Sequence, residues 1–157
     1  MLKHVYGDFK MVKKFLILFL VVLTIQIILF FAKDKVSDLE KACNKGHSKS
    51  CVDLGYMYAK GQGVEQNYQL AFKFYKKACD LGNGEGCINL GTMYAKGLGV
   101  EQNYQLAAGL YEKACDLGNG KGCGILGTMY AKGLGVEQIY QLAVELFKKA
   151  CDLGNGE

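Results

Sequence analysis

Three residue types are missing from the 157-residue chain: proline, tryptophan and arginine. Without proline, the 21 glycines cannot belong to a collagen-like triple helix. Disorder is excluded for most of the chain by its balance of side chains, 50% apolar and only 22% charged. A concentrated basic surface is lacking as well. The net charge is +4 and the pI about 8.6. Residues 1–14, however, hold four lysines against one acid, whereas residues 33–157 hold 15 lysines against 14 acids. The part that can fold is nearly neutral, so no basic stripe marks a nucleic-acid partner. Chemically versatile side chains are scarce too. Beyond residue 36 the aliphatic hydroxyls are Ser37, Ser48, Ser50, Thr92 and Thr128, and the one histidine is His47.

One long apolar run is present. Residues 15–32 (FLILFLVVLTIQIILFFA) carry no charge, and only Thr24 and Gln26 are polar. As a helix this run spans about 27 Å, close to the hydrocarbon thickness of a bilayer. Nothing downstream is large enough to bury so uniform a rod. Two readings are open: a cleavable signal peptide with Lys13 and Lys14 as its basic flank, or an uncleaved transmembrane anchor. Ala32 suits the position before a cleavage site, but Phe30 two residues earlier does not. Lysines flank the run on both sides, so charge does not set its orientation. Under either reading the remainder is exported from the cell: periplasmic, secreted, or membrane-anchored facing outward.

Beyond residue 36 the chain obeys a single period. Cys43, Cys79, Cys115 and Cys151 are spaced by 36 residues, as are Cys51, Cys87 and Cys123. Counted from the first lysine, the units are 41–76, 77–112 and 113–148, with a truncated fourth at 149–157; the second and third share 28 of 36 residues. A period of this length marks a solenoid of stacked supersecondary units. Within the second unit, Cys87, Leu90, Gly91 and Tyr94 recur at helical spacing, predicting a first helix over about 85–96. Leu106, Ala107, Leu110, Ala114 and Leu117 predict the apolar face of a second, over about 103–117. Asn67 and Asn103 suit N-caps, and Gly82, Gly118 and Gly154 suit left-handed C-terminal positions. Ile139 replaces the cap asparagine in the third unit, so its second helix is expected to start less firmly. Gly91, Ala107 and Ala114 allow close helix approach, with Tyr94, Tyr104 and Tyr111 as bulk between layers. The expected fold is therefore all-α: a right-handed α/α-solenoid of helix–turn–helix repeats behind one N-terminal hydrophobic helix. The layout is a basic tail (1–14), signal or anchor (15–32), linker (33–36) and repeat domain (37–157).

The runs LGTMYAKGLGVEQNYQLA and LYEKACDLGN resemble a Sel-one-like repeat, a relative of the tetratricopeptide repeat. Leu90, Gly91 and Tyr94, then Ala107, Tyr111 and Ala114, meet the tetratricopeptide spacing, with a longer loop between the helices. The resemblance covers residues 37–157. A 36-residue unit carrying Cys-x7-Cys is similar to the Helicobacter cysteine-rich proteins, a secreted family. Lysine-rich, arginine-free composition suits a bacterium with an AT-rich genome.

Each first cysteine sits near the end of a second helix, and each partner opens the next first helix across a tight turn. That arrangement suits local disulfides Cys43–Cys51, Cys79–Cys87 and Cys115–Cys123. Zinc is the rival reading, but it favours cysteines two to four residues apart, and only His47 is nearby. No metal and no cofactor is expected. A nine-residue loop closed by a disulfide contributes about 2.5 kcal/mol in the chain-entropy model. Disulfides also agree with an exported location. Cys151 is left unpaired, with its periodic mate expected two residues beyond Glu157; that suits a truncated chain better than a thiol kept for pairing between molecules.

The family resemblance implies penicillin binding and weak β-lactamase activity. The residues supply no support for it: Ser37, Ser48 and Ser50 are followed at the third position by Glu40, Cys51 and Asp53 rather than lysine. A binding scaffold is the reading the residues favour, with a peptide, protein or cell-wall-related ligand in a concave groove. Comparison with the tetratricopeptide pattern places Lys49, Val52, Asp53, Tyr56 and Lys60 on that face. The second unit contributes Glu85, Ile88, Asn89, Thr92 and Lys96, and the third Lys121, Gly124, Ile125, Thr128 and Lys132. Lys60, Lys96 and Lys132 form a ladder suited to carboxylates.

Overall fold

The computed structural model describes the backbone of residues 2–155, and the side chains of residues 11–28 and 33–154. Among them there are seven α-helices and no strand: α1 (Leu2–Asn44), α2 (Ser48–Lys60), α3 (Tyr68–Asp80), α4 (Gly84–Lys96), α5 (Tyr104–Asp116), α6 (Gly120–Lys132) and α7 (Tyr140–Ala150). A π-turn at Cys151–Asn155 comes after α7. The chain divides into two compact units, Met1–Ser37 and Asp38–Glu157.

In the first unit, the described side chains of residues 11–28 are all exposed. The stretch Met11–Asn44 of α1 is long and apolar enough to cross a membrane.

The second unit is a disulfide-stapled solenoid built from the pairs α2–α3, α4–α5 and α6–α7. The first helix of each pair ends at a glycine in the left-handed region: Gly61, Gly97 and Gly133, with φ of 68°, 66° and 66°. The next loop is held by a glutamine. Gln102 Nε2 donates to the Ala95 carbonyl at 2.8 Å and to the Tyr104 hydroxyl at 3.1 Å; Gln66 and Gln138 repeat both bonds. Asn67 and Asn103 then cap α3 and α5, each side-chain oxygen accepting from the backbone N–H three residues on at 2.9 Å. Ile139 makes no such bond, yet α7 still starts at the equivalent residue, so the expected weakness is confined to the missing cap.

Glycine sets the spacing within each pair. A methyl placed on Gly55 would sit 2.5 Å from the Tyr75 ring; on Gly91 or Gly127 it would sit 3.0 Å from Tyr111 or Phe147. Between successive pairs, Gly86 and Gly122 lie against Ala78 and Ala114 closely enough to exclude a methyl. Ala71, Ala107 and Ala143 complete this row of small buried residues.

One expectation is corrected. Leu106 and Leu117 do not belong to the buried face of α5; they are 50% and 45% exposed. Ala107, Ala108, Tyr111, Ala114 and Cys115 fill that face instead. The stripe against α4 and α6 is centred on alanines because the helices approach too closely for leucine. Val52 and Ile88, expected on the concave face, are likewise core residues, 3% and 5% exposed.

Candidate binding clefts

The six paired cysteines are the most deeply buried polar-capable groups in the solenoid. Cys43–Cys51, Cys79–Cys87 and Cys115–Cys123 are bonded, with Cα atoms 4.9, 4.5 and 4.6 Å apart. Each bridge ties the end of one second helix to the start of the next first helix. Cys151 is free and exposed. Among the described residues no group of three or more histidines, cysteines or acids could hold a metal.

With the layers fixed this way, two clefts open between successive pairs. The first, about 200 Å³, is lined by Tyr56, Ala59, Lys60, Tyr68, Tyr75, Asn89, Thr92, Met93, Lys96 and Leu98. The second, about 230 Å³, is lined by Ala95, Tyr104, Tyr111, Ile125, Thr128, Met129 and Leu134. Every residue of the second lies 36 positions after a residue of the first. Their shared frame is an alanine, two tyrosines, a threonine, a methionine and a leucine. At the one further matched position Asn89 of the first is Ile125 in the second, and Tyr56, Lys60 and Lys96 line the first alone. The first cleft thus has two lysines among its walls, whereas no charged residue lines the second.

Tyrosine chemistry differs between them too. Burial pushes the Tyr75 phenol up to about 12, with Glu85 and Tyr56 adding to the effect. Burial also raises Tyr111, opposed by a 3.2 Å hydrogen bond shared with the Thr92 hydroxyl. Thr92 in turn donates to the Ile88 carbonyl at 2.8 Å, which holds its rotamer at the cleft wall. Both phenols are therefore neutral at physiological pH.

The sequence-derived face is gathered in part. Tyr56, Lys60, Asn89, Thr92 and Lys96 meet in the first cleft, and Thr128 joins the second. Lys121 and Thr128 also line a shallower depression with Gly120, Gly124, Ile125 and Ala150. Lys49 and Asp53 line none of these; they pair with each other at 3.7 Å on α2. Glu85 stands exposed in the first turn of α4. Lys132 is exposed at the end of α6, outside the lining sets. Sequence reasoning placed Tyr104 and Tyr111 in the core; they are cleft walls as well. It missed Met93, Met129, Leu98 and Leu134, whose signal was their recurrence at 36 residues.

The Sel1 repeat model matches residues 48–83, 84–119 and 122–155, about two-thirds of the chain. The chain belongs to the Sel1-repeat family. That model sets each repeat's start at a first helix, so each disulfide joins successive structural elements across a repeat boundary. Among solved structures, a Sel1 repeat protein from Oxalobacter formigenes superposes with a TM-score of 0.72 at 28% identity, covering 76% of this chain and 48% of that one. The protein c5321, a protective antigen of uropathogenic Escherichia coli with an SLR fold, gives 0.72 at 36% identity, covering 76% of this chain and 26% of its own. The Sel1-repeat solenoid thus spans about half of the first and a quarter of the second. Helicobacter pylori cysteine-rich protein B gives 0.65 at 36% identity, covering 78% and 88%. No curated protein matches the chain.

Proposed function

We propose that this Sel1-repeat protein is an exported scaffold that holds a peptide or protein segment along its inter-repeat clefts. The observation that carries this reading is the pair of clefts on one repeated frame, with Asn89 exchanged for Ile125 and with Tyr56, Lys60 and Lys96 lining the first alone. A fixed frame with variable lining suits recognition, because affinity comes from the frame and specificity from the exchanged residues. The hydroxyls lining the clefts are tyrosines and threonines, with no serine among them. Two further features support export: three disulfides, which persist in oxidising compartments, and the exposed apolar stretch of α1. Residues 15–32 serve that export as signal or anchor.

The test is a peptide-display selection on the full chain in detergent micelles. Selected peptides should bind saturably and lose binding to Ile125→Arg, which places a long cation across the second cleft. Peptides that bind only elsewhere on the molecule would overturn the cleft reading.

A further inference from the structure

We infer that the two clefts together take one extended polypeptide segment in the polyproline-II conformation, with a carboxylate side chain in the first cleft and an apolar side chain three residues away in the second. This rests on the scaffold reading and adds the chemistry and register of the ligand.

Charge sets the first half. Lys60 and Lys96 both line the first cleft, no acid lines it, and among the described residues neither ammonium has an ion pair or hydrogen bond. The other cations near acids on α2 and α3 are already engaged: Lys49 with Asp53 and Lys76 with Asp80. Two uncommitted lysines beside Tyr56 and Asn89 leave a site complementary to a carboxylate. Apolarity sets the second half. No charged residue lines the second cleft, and Ile125 stands where the first has Asn89.

Register is set by the fold. The first helix α2 touches the next first helix α4 directly, and packed helices lie about 10 Å apart. A polyproline-II chain rises about 3.1 Å per residue with three residues per turn, so side chains at i and i+3 share one face about 9 Å apart. An ordinary β-strand would point those two side chains to opposite faces. Tyr56 and Tyr68 in the first cleft and Tyr104 in the second offer accessible aromatic surface, while Tyr75 and Tyr111 are buried, and aromatic-lined grooves dock polyproline-II ligands.

The experiment uses fluorescence anisotropy on the full chain in detergent micelles. The probes are labelled proline-rich octapeptides containing Glu-Pro-Pro-Leu or its reverse, Leu-Pro-Pro-Glu. One direction should bind. Replacing its Glu by Gln, or shortening the spacing by one residue, should weaken it by about fivefold or more. Lys96→Gln should remove the preference for Glu over Gln. Ile125→Asn should remove the preference for Leu over Ala while keeping that for Glu, and Asn89→Ile should keep both preferences while weakening binding of the Glu probe. These two exchanges only copy onto one repeat a residue that another already holds at that position, so folding is retained. Binding indifferent to charge and spacing, or no binding by either probe, overturns the inference. If display peptides without this pattern are still blocked by Ile125→Arg, the scaffold reading survives alone; if nothing is blocked, both fall.

Discussion

Tyr75 shows how a single side chain reports on its cleft. Its phenol is raised to about 12, chiefly by burial, against an ordinary value near 10. The unfolded chain therefore loses this proton first as pH rises. The contribution is fully present below pH 10 and is lost between about 10 and 12. Tyr75→Phe should flatten the alkaline fall in stability over that window, as read by short-exposure urea melts at stepped pH. Phe147 at the matching position shows that the ring alone fits. Asn103 is a second residue-scale case. Asn103→Ala removes a 2.9 Å cap and should cost about 1 kcal/mol. Ile139→Asn should stabilise by a similar fraction, since α7 lacks the bond its counterparts have. Thermal unfolding of both variants checks the pair; equal and opposite signs are expected.

Helix junctions are where the solenoid is stapled. The second and third disulfides each join two helix ends whose backbones already meet, through Ala78 and Gly86 and through Ala114 and Gly122. Removing one bridge as the double variant Cys79→Ala, Cys87→Ala should lower stability by about 2.5 kcal/mol in the chain-entropy model. Because neighbouring repeats interact only locally, hydrogen exchange should rise most at α3 and α4 and least at α7. Uniform loosening across all helices would show that the bridges act globally. The junction of α1 with α2 carries Ser50 where the later ones carry Gly86 and Gly122, so its close glycine contact is absent.

At the scale of the whole molecule, the apolar stretch and the solenoid make separate predictions. Expressed in a bacterium, the full chain should sediment with membranes or yield a secreted product shortened at about residue 32; intact mass distinguishes anchor from signal. Retention of full-length protein in the cytosol with reduced cysteines would contradict export. A chromogenic β-lactam separates the scaffold reading from the β-lactamase activity that the family resemblance implies: a pure scaffold should show no turnover above buffer. Turnover that tracks the folded chain through a column would place catalysis above scaffolding.

Periodicity is a one-dimensional property, and it was enough to determine much of this protein. The 36-residue spacing of the cysteines predicted the repeat, the helix pairs and the local bridges, since each of these depends on neighbours in sequence. The apolar run of residues 15–32 was equally legible from its length. Burial was not. Leu106 and Leu117 look like core residues by spacing, yet alanines take the buried stripe because the backbones approach closely at Gly91 and Gly122. The pattern put Lys60, Lys96 and Lys132 on one ladder, but it did not show that only the first two line the first cleft, nor that Lys49 is spent on Asp53. Which exposed side chains converge depends on the offset of one helix pair on the next, and that offset exists only once the layers are packed.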